Sequence, residues 1–462
     1  MPRFSHEDNR MREQAEGISS ATARGKLPQA LTRLALLGLA FLLPVVSWQA
    51  MAAAAALAVL FSLFILPRVA EDSAARPSLS LRNGTSAYAL SVLLLILLYH
   101  QDSRVIAAVW AMMAVGGGLG AAADKLRRGA KLPWNRQKTW MGFAGFAMAG
   151  TLGGWLLAAW VATPAAPLGG LFAVTAAAAL LGAVMESLPV RLDRSFPVAL
   201  FCGGFMNCAL LFNPWAWAGN LPLLRVRIFL AVGIALTFAL AARALRQVDR
   251  YGALAGFGLA VAIYLGFGYK SFLVLLSFFV LGSAATRFGY AQKAARGIAE
   301  ARAGARSWRE ALANTSAAAF FALVSLLTLH QAAFLAAFVA SLAEAAGDTV
   351  SSEIGKWLSP QAYLVSTFRA VPAGENGGVS APGSLAGLAA CAAIVALGAA
   401  LGMCGKASAG LALTGAIAGN LLDSLLGATL ERQGLITNGV VNFAGTSFAG
   451  GLALAAALHL GL

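Results

Sequence analysis

SLAEAAGDTVSSEIGKWLSPQAYLVSTFRAVPAGENGGVSAPG, residues Ser341 to Gly383, gathers carboxylates, hydroxyls, basic residues and a glycine-rich turn inside an otherwise apolar chain. Read as a helix, its first part places Glu344, Asp348 and Ser352 on one face at four-residue spacing, with Glu353 beside them and Lys356 a turn further on. Such a face suits a divalent cation held by oxygen. Gly374, Glu375, Asn376, Gly377 and Gly378 form a turn whose backbone N–H groups can wrap an anion such as phosphate. Cation plus phosphate points to a nucleotide. The plain alternative is a loop between membrane helices, rich in Gly and Pro because loops are.

The rest of the chain is made for a bilayer. It is 59% hydrophobic and 11% charged over 462 residues, with a mean hydropathy of +0.74, whereas soluble domains carry about 25% charged residues. Apolar runs long enough to cross the hydrocarbon recur about fifteen times. The expected fold class is therefore an all-α polytopic integral membrane protein of two units with a cytoplasmic N-terminus. Residues 1–30 read as a disordered cytoplasmic tail without the apolar core of a signal peptide. Residues 31–241 form a first membrane domain and 242–462 a second, which opens at the basic flank around Asp249.

Loop charge sets the orientation. Basic loops at Arg68 to Asn83, Lys125 to Lys138 and Arg287 to Arg309 alternate with short loops poor in charge, which places them and the Asp348 to Gly383 stretch in the cytoplasm. The expected location is the inner (cytoplasmic) membrane of a bacterium. A net charge of +15 then reflects loops facing anionic headgroups and calls for no nucleic acid. Cys202, Cys208, Cys391 and Cys404 lack metal-ligand spacing and read as small core residues, and the four histidines are scattered. That excludes a histidine metal site or a His-activated nucleophile and leaves oxygen as the ligand type.

Further candidates lie on neighbouring segments. Asn420, Asp423 and Ser424 form a polar stripe in an apolar run, and a carboxylate there faces the protein interior. Asn438 and Asn442 stand at the entrance to the last span, and Arg306 and Asn314 at an earlier one. In the first half, Glu186 and Asp193 are isolated carboxylates at a membrane boundary.

The motifs RSWREALAN (306–314), GDTVSSEIGK (347–356), VPAGENGGVSAPG (371–383), DSLLGATLE (423–431) and NGVVN (438–442) follow one another across the second half. In that order they resemble the integral-membrane family that includes transmembrane protein 19 and the plant phytyl-phosphate kinases. The first half is similar to the phytol kinase and dolichol kinase group through GGGLGAAADKL (116–126), KTWMG (138–142), Glu186 and Asp193. It departs from that pattern at Gly117 and Met141, where acids are expected, and at Arg194 and Ser195, where a polar pair is expected.

The resemblance implies a transferase, a CTP-dependent kinase of an isoprenoid alcohol monophosphate, with the alcohol itself as a second substrate for the first half. Phosphoryl transfer also suits the residues themselves. Mg²⁺ would be held by Asp348 and Asp423 with Glu344, Glu353 joins the two aspartates as a catalytic candidate, and the phosphate acceptor needs no strong base. Lys356, Arg306, Arg369, Asn376, Gly377, Gly378, Ser380, Asn314 and, in the first half, Lys138 are the donors expected to meet phosphate. Two rival readings are a cytidylyltransferase that makes a CDP-lipid and a lipid or small-molecule transporter.

Overall fold

Several helix starts in this chain are capped by side chains, which matters more in an apolar medium than in water because an orphaned N–H there finds no solvent. In the computed structural model Thr139 Oγ1 accepts from Gly142 N at 3.0 Å and Asp249 Oδ1 from Gly252 N at 2.6 Å. Ser307 and Glu310 close a capping box on the helix Trp308–Val324. Ser380 caps the helix Ala381–Ala400, whose first turn holds a proline. The structure describes residues 33–65, 85–126, 129–162, 167–188, 192–300 and 304–462. The tail 1–30, the loop from Arg68 to Asn83, and Arg127, Arg128 and Arg302 lie outside the described residues.

Twelve described helices are long and apolar enough to cross a membrane, and three shorter apolar helices, Arg33–Leu42, Thr85–Tyr99 and Ser195–Ala209, accompany them. The apolar runs anticipated from sequence are thus helical, but three of them fall short of span length. The chain divides into two compact units, Met1–Leu210 and Leu211–Leu462. The division precedes the helix Pro214–Ala244, so that helix falls in the second unit, whereas the sequence reading put the boundary between 241 and 242, within its last turn.

The first unit is organised around Tyr88, Trp110, Met112, Phe146 and Met206, all buried. In the second unit Gln331–Leu358 is the central helix and packs against Ala381–Ala400, Asn438–His459, Lys406–Leu426, Trp308–Val324 and Tyr269–Arg287. Of its apolar stretch 78% is buried, against 17% for Pro214–Ala244. A helix surrounded on all sides by protein needs small residues to let its neighbours in. Residues 333–347 supply them, with Ala at seven positions together with Ser341 and Gly347, and all but Leu335 are buried. Gly347 and Gly387 let the central helix and Ala381–Ala400 meet backbone to backbone, and Gly266 does the same against Ala322.

One departure from an all-α fold lies within the stretch quoted above. β1 (Gln361–Leu364) pairs antiparallel with β2 (Ala370–Pro372) and with β3 (Gly378–Val379), giving a small sheet in the order β2-β1-β3. It stands between the C-terminus of the central helix and the N-terminus of Ala381–Ala400.

A Cβ at Gly266 would collide with the backbone of Ala322, whereas one at Gly258, on the same helix, meets nothing. Gly266→Ala is expected to lose about 1–3 kcal/mol by overpacking, and Gly258→Ala to remain within about 0.5 kcal/mol of the parent. Thermal unfolding in detergent, compared between the two variants, checks it. Equal melting temperatures would show that the Gly266 approach is not required.

Candidate active site

The central helix carries Glu344 and Asp348 one turn apart, and the helix Lys406–Leu426 carries Asp423. The carboxyls of Asp348, Asp423 and Glu344 lie close enough for each to feel the others' charge. Glu344 is buried, and among the described residues its Oε1 and the Oδ2 of Asp423 have no hydrogen-bond partner. The Glu344 side chain lies over Gly419 and Gly445, where any Cβ would overlap it. Asn420 Nδ2 donates to the Glu344 carbonyl at 3.1 Å and ties the two helices together at this level.

A π-turn, Gly427–Glu431, ends the Asp423 helix. Glu431 interacts with both Asp348 and Asp423 and is a further acid of the site. Sequence reasoning left it out because α-helical spacing does not bring it beside Asp423, and the wider turn changes the register. Carboxyls converging away from water need a counter-charge.

The basic residues near them are already engaged. Lys293 is completely buried, forms an ion pair with Glu353 and also donates to the carbonyls of Ala285 and Thr286, the latter at 2.9 Å. Lys356 Nζ is 3.0 Å from Glu353 and 2.9 Å from Glu300. Glu353, expected to be catalytic, is therefore held between two ammonium groups and has a positioning task. Lys356, expected to meet phosphate, is neutralised by two carboxylates. Glu300 and Lys293 were not singled out because their partners lie some 60 residues away. Burial raises the Glu300 carboxyl, but the Lys356 ammonium outweighs it and holds the group below the usual range. Arg306 is half-buried with its guanidinium 5.3 Å from the Phe278 ring centre. Burial draws it below the usual arginine range, while Glu310, Glu300, Glu353 and Asp348 favour its charge.

The glycine turn between β2 and β3 departs from the anion nest anticipated for it. Gly378 N donates to the Glu375 carbonyl at 3.0 Å and Glu375 N to Pro372, so two amides of the turn are occupied. Gly374 and Gly377 have φ of +91° and +71°, a region that glycine enters at little cost. Gly377 also sits against the backbone of Ala428 so closely that no Cβ fits. The turn thus docks the sheet onto the π-turn beside the acids.

The remaining candidates separate. Ser380 Oγ is the helix cap already described, and Ser424 is half-buried beside Asp423. Arg369, Asn376, Ser352 and Asn438 are exposed. The carbonyl of buried Asn314 accepts from Asn442 Nδ2 at 2.9 Å, so the pair serves helix packing. In the first unit Lys138 lies 2.6 Å from Glu186 and 3.1 Å from Asp124. Arg194 approaches Glu186 at 3.6 Å, and Arg33 pairs with Asp193 at 3.1 Å. Asp124, which also accepts from Thr139 N and Oγ1 at 2.9 Å, is the member of that network the sequence reading left out.

Comparison with known proteins concerns the second unit. The family model described as integral membrane protein DUF92 matches residues 233–453. An uncharacterized membrane protein of Synechocystis is 33% identical over 262 residues, 55% of this chain and all of its own length. An uncharacterized membrane protein of Methanocaldococcus jannaschii is 32% identical over 231 residues, 49% of this chain and 92% of its own. Protein VTE6, chloroplastic, of Arabidopsis thaliana is 36% identical over 198 residues, which is 40% of this chain, and the match spans 60% of the plant protein. No solved structure matches.

Removing one partner of a buried ion pair leaves a bare charge in the interior. Glu353→Gln is expected to destabilise the protein by about 3–5 kcal/mol on that ground, and Ser352→Ala to change stability by less than about 0.5 kcal/mol. Rates of thermal inactivation of the two variants in detergent check this; a Glu353→Gln protein as durable as the parent would dissolve the positioning role.

Proposed function

This chain belongs to the DUF92 family of integral membrane proteins, and from that premise we propose that its second unit transfers a phosphoryl group from CTP to an isoprenoid alcohol monophosphate. The observation that carries the proposal is the meeting of Asp348 and Asp423 on separate helices, with a buried carboxyl oxygen of Asp423 and one of nearby Glu344 lacking any hydrogen-bond partner. The similarity to a plant chloroplast protein and the ordered motifs of the second half support the same reading.

The donor set fits Mg²⁺. It is all oxygen, but among the described residues no three Asp, Glu, His or Cys side chains surround a single point, so Glu344 does not complete a three-carboxylate set with the two aspartates as the sequence reading expected. Mg²⁺ is bound through one or two carboxylates, with water and phosphate oxygens for the rest. Asp348 and Asp423 would hold the ion, which when bound neutralises charge on the nucleotide phosphates, and Glu344 lies behind them. Arg306 supplies a fixed positive charge for the transferred group. Lys356, held by Glu300 and Glu353, keeps the end of the central helix and its acids in place. The acceptor is a phosphate oxygen that is already anionic, so the reaction asks for no general base.

In the first unit Lys138 pairs with Glu186 and Asp124, Arg194 approaches Glu186, and Arg33 pairs separately with Asp193. That pairing of Lys138 and the acids, with Gly117 and Met141 in place of acids, supports giving the monophosphate reaction to the second unit and at most a secondary reaction on the alcohol to the first. A cytidylyltransferase would draw on the same acids but release pyrophosphate, so product analysis separates the two.

Asp348→Asn and Asp423→Asn should each cripple CDP formation from CTP and an isoprenyl monophosphate, and the double variant should lose little more, as residues acting as a unit do. Lys138→Ala should leave that reaction intact. Rates at several Mg²⁺ concentrations, with folding followed by size-exclusion chromatography, provide the test, and near-normal turnover in either single variant would remove the shared site. The proposal also places the sheet in the cytoplasm. The four native cysteines are buried, so a cysteine at exposed Gly374 should be the dominant reactive thiol, silent to an impermeant reagent in intact cells and labelled after permeabilisation. Labelling in intact cells would overturn the orientation.

A further inference from the structure

The second unit also holds a small, partly open apolar groove. Four helices wall it, Pro214–Ala244, Arg250–Phe267, Tyr269–Arg287 and Trp308–Val324. Its lining is almost wholly hydrocarbon, with Phe238, Leu259, Leu275 and Phe279 among the large side chains. Its polar groups, Arg306, Glu310, Asn314 and Thr315, come from one short segment at the start of the last of those helices.

The placement of Arg306 is fixed by backbone, since its N–H donates to Gln247 at 2.9 Å and its carbonyl accepts from Asp249 N at 3.1 Å. A Cβ at Gly282 would meet both the Arg306 guanidinium and the Thr349 side chain, so Arg306 reaches the central helix beside Asp348. The wall then recedes along the helix Arg250–Phe267. Gly252 touches the Arg306 carbonyl, whereas Gly256, about 6 Å deeper at 1.5 Å per residue, has nothing within 4 Å of where a Cβ would stand. The groove is open there because the residue has no side chain.

We propose that this groove seats the single hydrocarbon chain of the lipid monophosphate, with the phosphate at Arg306 and Gly256 setting the room available to the chain. The occupant follows from shape and charge together. One apolar slot leads to one half-buried cation, which complements one chain ending in one anion. This inference rests on the phosphoryl-transfer reading for the identity of the head group, and the groove itself is argued without it.

The test uses the full chain in detergent with geranyl, farnesyl and geranylgeranyl monophosphate and inorganic phosphate as probes. Affinity, read by calorimetric titration, should rise with chain length, approaching fourfold per buried methylene. Gly256→Leu should weaken the prenyl monophosphates at least tenfold and flatten the chain-length trend without changing the response to inorganic phosphate. Gly258→Leu, at an exposed position on the same helix that does not line the groove, should bind like the parent. A geranylgeranyl monophosphate with a terminal photoreactive group should label Leu259 or Leu275 in the parent protein, a readout that stands even if Gly256→Leu fails to fold. An unchanged chain-length trend in folded Gly256→Leu, labelling elsewhere, or equal displacement of the label by a two-chain phosphatidate would each overturn the assignment. Labelling in the groove without CDP formation would keep the chain seat and remove the kinase reading. CDP formation with labelling elsewhere would do the reverse.

Discussion

Two carboxyl groups brought face to face inside a helical bundle are the constraint on which the second unit is built. Asp348 and Asp423 come from helices that touch only because glycines lie between them. Gly347 makes room for Asn420 and Cys391, and Gly419 and Gly445 leave space for Glu344. Each of these glycines forgoes helix stability relative to alanine, by roughly 1 kcal/mol in an exposed host. Together they create a place where Glu344 is shielded from water and the half-buried Asp348 and Asp423 stand near it. A low-dielectric setting strengthens their repulsion and equally strengthens whatever cation relieves it.

The charges around that place fall into two kinds. Lys293, Glu353, Lys356 and Glu300 form a chain in which each charge has an opposite neighbour, and Arg296 fastens the same corner by donating to the Trp357 carbonyl at 2.9 Å. This chain holds the end of the central helix and does not ask for a ligand. Its buried member, the Lys293–Glu353 pair, is costly to break, whereas the half-exposed Lys356–Glu300 contact contributes at most about 1 kcal/mol. Asp423 and Glu344 are different, because each keeps a carboxyl oxygen that nothing among the described residues satisfies. Satisfied charges belong to the scaffold, and unsatisfied ones mark where something else must bind.

Much of this was legible in the sequence, and the limits have physical causes. Four-residue spacing put Glu344 and Asp348 on one face, and hydropathy located the helices, because both properties are local to one segment. The partner of Glu353 was invisible, since Lys293 is 60 residues away in a basic loop and only the packing of two helices brings them together. The glycines at 374, 377 and 378 looked like an anion nest. Their abundance reflects left-handed backbone at Gly374 and Gly377 and the contact of Gly377 with Ala428. The sheet escaped notice because its strands run to only two to four residues and lack a sustained alternation. Glu431 escaped because a π-turn breaks the period that sequence reasoning assumes.

The position of the acids along the central helix also bears on how such a site meets two very different molecules. Glu344 lies in the fully buried run, and Asp348 just beyond it, where burial gives way toward the sheet. Farther along, the helix ends in the ionic chain and the docked turn. The apolar groove approaches the same level from between the outer helices, with Arg306 at the meeting point. A charged headgroup drawn from a bilayer gains most where its chain stays among hydrocarbon side chains while its phosphate reaches fixed charge. The boundary between buried alanine and polar cap on one helix is where both conditions hold at once, and it is there that Asp348 stands.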